Sequence, residues 1–178
     1  KTQSVFLRPN RGRLVFKKNR DFTFSGFISA GAGRFNLYGK KFDFVYNDFK
    51  INLNKIDSVR LKVPRLPIQR DMYGNELLTD VRTVLQAVTG DLVIDNENNK
   101  SGIYRDSFPN YPIFRSFEKS YVYYDDKSIF NSVYDRDKFY FHLDPFEIDS
   151  LENYSGKGLA FTGNLVSAGI FNNMFDTL

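Results

Sequence analysis

The chain has 178 residues, 42% of them hydrophobic and 17% aromatic with 19 Phe and 11 Tyr, which is enough for a packed core and excludes disorder of the whole chain. With no Cys, no Trp and a single His, thiolate zinc sites, iron–sulfur clusters, thiol catalysis and disulfides are excluded, although a Cys-free chain leaves the redox compartment open. The net charge of +4 hides an asymmetry: residues 1–70 carry 16 Lys/Arg against 4 Asp/Glu, and residues 71–178 carry 9 against 17. The asymmetry fits either an anionic partner for the first part or two halves that complement each other.

In chain order, strand patterns dominate. Residues 14–16 and 21–31 alternate, with Phe22, Phe24 and Ile28 on one face, and residues 34–39 place Phe35 and Leu37 together. Residues 41–53 alternate through Phe42, Phe44 and Tyr46, slip by one at Asn47–Asp48 as at a bulge or corner, and resume with Phe49, Ile51 and Leu53. Residues 59–63 alternate again before Pro64 and Pro67 interrupt. Leu77, Val81, Val84, Leu85 and Val88 fit helical spacing, so one short helix is expected near 76–88, with Asn75 as its N-cap and Gly90 near its stop. Residues 90–95 read as a strand, 95–102 as a turn and 103–120 as irregular; 120–125, 138–144 and 159–171 are strand regions.

Internal repeats run through this pattern. KFDFVYNDFKI (41–51) aligns without a gap to KFYFHLDPFEI (138–148), and FSGFISAG (24–31) to FTGNLVSAG (161–169) with one insertion; TGDLV (89–93) echoes TGNLV (162–166). Each block is a strand with its turn, and the glycine after Ser or Thr fits close backbone approach. Duplicated strand units point to stacked meanders, and chance similarity among Phe-rich strands is the alternative. Because the repeats span Pro64–Pro67, residues 1–178 are read as a single β-rich domain, with a subdomain break near 64–67 as the alternative. The start at Lys1 and the end in MFDTL read as a fragment of a larger protein.

Catalytic chemistry finds little support. His142 is the only candidate histidine base, and its repeat partner is Val45, as expected of a generic surface position. Late carboxylates (Asp125, Asp126, Asp135, Asp137, Asp144, Glu147, Asp149) could serve a glycosidase only if two faced each other across a cleft. Asp95, Glu97 and Asn99, followed by Ser101 and Asp106, are the calcium candidate, but Lys100 stands where a calcium loop needs Gly, so a solvated turn is preferred. GAGRF (31–35) lacks the Lys and the helix of a phosphate loop. The tyrosines between 104 and 140 divide between core packing and a surface able to stack on sugars or a partner. Arg8, Arg11, Arg13, Lys17, Lys18 and Arg20, with Phe6 and Phe16 among them, form the candidate anion-binding stretch; protection of a sheet edge is the alternative. No RNA- or DNA-binding signature accompanies it, so nucleic acid is not expected as a partner.

FLRPNRGRLVFKKNRDFTFSG, NKSG, YPIF, SYVYYD and FTGNLVSAGIF together resemble motifs of large, uncharacterised envelope-associated proteins of Bacteroidota-type bacteria. The resemblance implies an extracytoplasmic setting, periplasmic or associated with the outer membrane, and a longer parent polypeptide as first partner; it carries no catalytic residue. The alternation of Gly-x-[Ile/Leu] and Phe-rich strands also looks like the groove repeats of bridge-type lipid transport proteins of the AsmA/TamB and OstA-like class.

The expected fold is mainly β, antiparallel sheets in a sandwich or curved groove with the one helix. The expected function is that of a non-catalytic structural or binding module without a cofactor and without a transmembrane segment. The alternatives are a lipid- or glycan-binding groove segment and a carbohydrate-active enzyme using the late carboxylates.

Overall fold

The computed structural model describes residues 5–125, 131, 133–154 and 159–170. It is mainly β, 49% strand and 6% helical, and forms a large curled antiparallel sheet, a half-barrel. Its strands are β1 Phe6–Pro9, β2 Val15–Phe16, β3 Phe22–Ala30, β4 Phe35–Val45, β5 Lys50–Ile56, β6 Ser58–Pro64, β7 Leu78–Gln86, β8 Val88–Val93, β9 Ile113–Ser116, β10 Ser120–Tyr123, β11 Phe139–Leu143, β12 Glu147–Ile148 and β13 Gly163–Ser167.

The pairing registers show that consecutive strands are halves of longer, bent runs. β4 pairs β6 from Phe35↔Leu61 to Tyr38↔Ser58, and then pairs β5 from Phe42↔Leu53 to Val45↔Lys50. The chain from 50 to 61 therefore follows β4 continuously, with one extra residue at the corner. The same holds outward: β8 and β7 follow β5 and β6, β9 and β10 follow β8 and β7, and β12 and β11 follow β9 and β10. The breaks line up across the sheet, with Lys55 (φ 45°) and Ala87 (φ 56°) in left-handed conformations at two of them. A bulge or left-handed residue bends a strand and strengthens its twist. Repeated along one line, the bend folds the sheet over its own apolar face.

That face is the core. Phe24, Ile28, Phe35, Leu37, Phe42, Ile51, Leu53, Ile56, Val59, Leu61, Leu85, Leu92, Phe114, Val122 and Leu143 are all buried. Phe35, on the half of β4 that pairs with β6, packs on Phe114 of β9 in the opposite lobe, ring centroids 4.7 Å apart. Phe146, in the corner between β11 and β12, covers Phe114 at 5.5 Å and Phe161 at 4.8 Å. The late chain closes the rim: the Leu151 N–H donates to the Pro112 carbonyl and the Tyr154 hydroxyl to the Arg34 carbonyl. Burial pushes the Tyr154 phenol well above its ordinary pKa.

The expected helix near 76–88 is absent: that stretch is β7 running into β8. Thr79, Val81, Thr83, Val84 and Val88 are β-branched and favour the strand. The helix-like spacing comes from a bulge, since β7 pairs Val84 with Arg60 but Asp80 with Lys62, leaving extra residues on β7. Asn75 caps no helix; it sits in the tip of the hairpin joining β6 to β7, where its N–H donates to Asp71 Oδ1. Asn47–Asp48 is a hairpin turn rather than a bulge, with Phe49 at φ 51°. Residues 103–120 contain one strand that alternation did not show, β9.

The repeated blocks occupy different places. Residues 41–51 form the β4–β5 hairpin, whereas 138–148 run as β11, a corner and β12. The glycines of the repeats do share a task. A Cβ on Gly26, Gly90 or Gly163 would strike the backbone carbonyl of Arg8, Arg115 or His142 on the neighbouring strand. Gly90→Ala should therefore cost about 2–3 kcal/mol by forcing strands apart. Gly33→Ala, at φ +87° with open space around it, should cost about 1 kcal/mol of backbone strain alone. Urea unfolding of both variants tests this; equal losses would contradict the close approach.

Candidate anion-binding edge and outer face

The six candidate cations lie at the first edge of the sheet, because β1 and β2 pair only with β3 among the described strands. Between them Asn10–Gly12 form a single 3-10 turn, with Arg11 at φ 53° and Gly12 at φ 65°, and Asn10 Nδ2 donates to Ser25 Oγ of β3 at 3.3 Å. Residues 10–20 are exposed throughout, including Leu14, Val15 and Phe16, the last 68% exposed. Phe16 meets the Phe22 ring at 5.5 Å.

The cations fall into two groups. Lys17 reaches Asp43 at 3.7 Å, and Arg20 lies over the Tyr46 ring at 5.1 Å, with Lys100 also over that ring at 5.5 Å. Arg8, Arg11, Arg13 and Lys18 have no acidic partner among the described residues. Asp21, the one acid nearby in sequence, accepts instead from Asn19 Nδ2 at 2.6 Å and the Tyr46 N–H at 2.8 Å.

The positive surface continues beyond the cations of residues 8–20, onto Arg60 and Lys62. Arg8 stands opposite Phe27, Phe27 opposite Tyr38, and their rings lie 4.8 Å apart on the outer face. Phe27, Asn36, Tyr38, Arg60, Lys62 and Asp80 line a shallow cleft of about 300 Å³. Asn36 is held by donation from its Nδ2 to the Gly33 carbonyl, and Lys62 reaches Asp80 at 3.7 Å. The signal was present: alternation in VRLKV turns Arg60 and Lys62 outward once Val59 and Leu61 enter the core.

Several of the other candidates make contacts within the fold. Asp95 is buried and accepts from the Asn96 N–H at 2.7 Å and Asn99 Nδ2 at 2.9 Å, while Asn99 Oδ1 accepts the Tyr104 N–H. Its carboxylate thus organises the turn, and Glu97 starts the 3-10 turn Glu97–Asn99. Among the described residues no three His, Asp or Glu side chains converge as a metal site requires. Asp125 pairs with Arg136 at 3.0 Å and Asp135 with Lys138 at 3.4 Å. Asp137 donates its N–H to Asp135 Oδ1, Glu147 stands opposite Arg115 on β12, and the Asp144 N–H meets the Thr162 carbonyl; Asp149 follows β12. Asp126 lies outside the described residues.

His142 sits on the outer face between Tyr121 (4.9 Å) and Tyr140 (6.0 Å). Burial and Lys119 hold its pKa below the ordinary imidazole value, partly opposed by Asp144. Of the tyrosines, Tyr124 packs against the core, Tyr134 stacks on Phe139 at 4.3 Å and Tyr111 meets Phe108 at 6.4 Å, while Tyr104 is exposed and Tyr121, Tyr123 and Tyr140 gather outside.

One charged group that sequence reasoning missed is fully buried. Asp91 points away from Leu92 and is held bidentately by Arg115 at 2.8 and 2.7 Å, with Lys50 at 3.5 Å. The hydrogen bond to Asp91 raises the Arg115 pKa. Arg115→Ala should cost about 2–3 kcal/mol in urea unfolding, because a buried carboxylate loses its best partner. A loss near zero would mean that Lys50 alone satisfies Asp91. Calcium and a chelator should each leave the melting temperature unchanged, and a calcium-induced rise would restore Asp95, Glu97 and Asn99 as ligands.

No family model, curated protein or solved structure matches this chain.

Proposed function

We propose that this chain is a non-catalytic binding module of a large exported cell-envelope protein, placed outside the cytoplasm, and that it docks through its first edge onto anionic lipid headgroups. The observation that carries this reading is the set Arg8, Arg11, Arg13 and Lys18, exposed, without acidic partners among the described residues, and beside exposed Leu14, Val15 and Phe16. Cations that only shield an edge from aggregation need no apolar companions, whereas a bilayer interface takes up both kinds of group. The cleft of Phe27, Tyr38, Arg60 and Lys62, the last paired with Asp80, carries cationic and aromatic groups onto the outer face.

Docking at an edge fits the packing better than an acyl chain in the concavity, because Phe35, Leu37, Phe42, Ile51 and Phe114 already fill that space. The envelope setting rests on the motif resemblance. No helix among the described residues is long and apolar enough to cross a membrane.

Cosedimentation with phosphatidylglycerol-containing vesicles tests the reading. Binding should exceed that to phosphatidylcholine alone and fall as salt rises. Replacing Arg11, Arg13 and Lys18 together with Ser should weaken it about a hundredfold, at about 1 kcal/mol for each cation removed. Equal binding to neutral vesicles, or preference for soluble polygalacturonate over the vesicles, would overturn the lipid assignment.

A further inference from the structure

We propose that the outer face of β10 and β11 is a platform for a neutral glycan. Side chains alternate strictly there: Val122, Phe141 and Leu143 enter the core, and Tyr121, Tyr123, Tyr140 and His142 stand on the other side. The register pairs Tyr121 with His142 and Tyr123 with Tyr140, so the rings form a two-by-two grid with centroids 4.9 to 6.0 Å apart. All four are half-buried, so solvent reaches them, and none is needed to fill the interior.

The surroundings choose the ligand. Arg136 lies 3.5 Å over the Tyr123 ring, donates to Gln86 Oε1 at 2.6 Å and pairs with Asp125 at 3.0 Å, so its charge is neutralised within the platform. Lys119 and Asp144 flank His142 with opposite charges. A platform with balanced charge offers little to a phosphate or a nucleic acid strand. Phenol hydroxyls among the rings disfavour an acyl chain, which cannot satisfy them. A sugar meets both demands: its C–H faces carry partial positive charge that complements the negative ring faces, and its hydroxyls bond to the phenols and amides around them. The platform uses none of the cations of the first edge, and so is independent of the lipid assignment.

The test uses the whole chain with cellohexaose, maltoheptaose and mannohexaose as neutral probes, followed by tyrosine fluorescence and by the ring signals of His142, which as the only histidine is a unique reporter. One of the neutral probes should bind, shift the His142 signals and remain bound at high salt. Replacing Tyr121 and Tyr140 with Ala should weaken it at least about tenfold, and replacing both with Phe should retain most of it, since stacking survives. The Arg11, Arg13 and Lys18 triple variant should bind the glycan as the parent does. Absence of binding to all three probes, or binding that leaves His142 unmoved, would overturn the proposal even if the Ala variant fails to fold.

Discussion

A sheet that is apolar on one face must bury that face, and with no long helix among the described residues this chain buries it by bending. The bend is not a loop joining two sheets. It is a line of breaks crossed by successive runs, at Lys55, Ala87 and the corners 117–119 and 144–146. The two lobes then meet, Phe35 on Phe114 and Phe146 over both Phe114 and Phe161. Rim closure by Leu151 and Tyr154 accompanies the same fold-over, while Gly26, Gly90 and Gly163 allow close approach of paired neighbouring strands. Each buried aromatic in such a core is worth a few kcal/mol, so the contact of the lobes outweighs any single surface ion pair.

Much of this was legible because alternation is a strong signal where one face is buried. Alternation sets Phe22, Phe24 and Ile28 on one face of their stretch, Phe35 and Leu37 on one face of the next, and Phe42 and Phe44 together in the third, and each of these faces turns to the interior. Legibility failed where the register shifts. The bulge between Arg60 and Lys62 displaced Val81, Val84 and Leu85 into an apparent helical period, although their β-branched neighbours pointed to a strand. β9 is short and sits between Pro112 and the 117–119 corner, which hid its alternation. The pairing of Asp91 with Arg115 could not be read, because the residues lie 24 apart and only the β8–β9 register brings them together.

The candidate site was half visible. Clustering of cations with Phe16 is a sequence fact, whereas the lack of acidic partners of Arg8, Arg11, Arg13 and Lys18 among the described residues emerges only once Asp21 turns to Asn19 and Tyr46 and Asp43 to Lys17. The outer face joins the account only once strand order is known: it sets Arg60 and Lys62 near Phe27 and Tyr38, and Tyr121 beside His142, residues far apart in the chain. The interior is filled by the chain's own side chains, so the proposed binding is assigned to the edge and the outer face.

The most direct test is a nuclear Overhauser spectrum of the protein with carbon-13-labelled phenylalanine, recorded before and after addition of short-chain phosphatidylglycerol. The contact between the rings of Phe35 and Phe114 should persist unshifted, while the signals of Phe16 should move. Absence of that contact, or lipid-induced shifts at Phe35 and Phe114, would show an interior open to lipid and contradict the packed, edge-binding module.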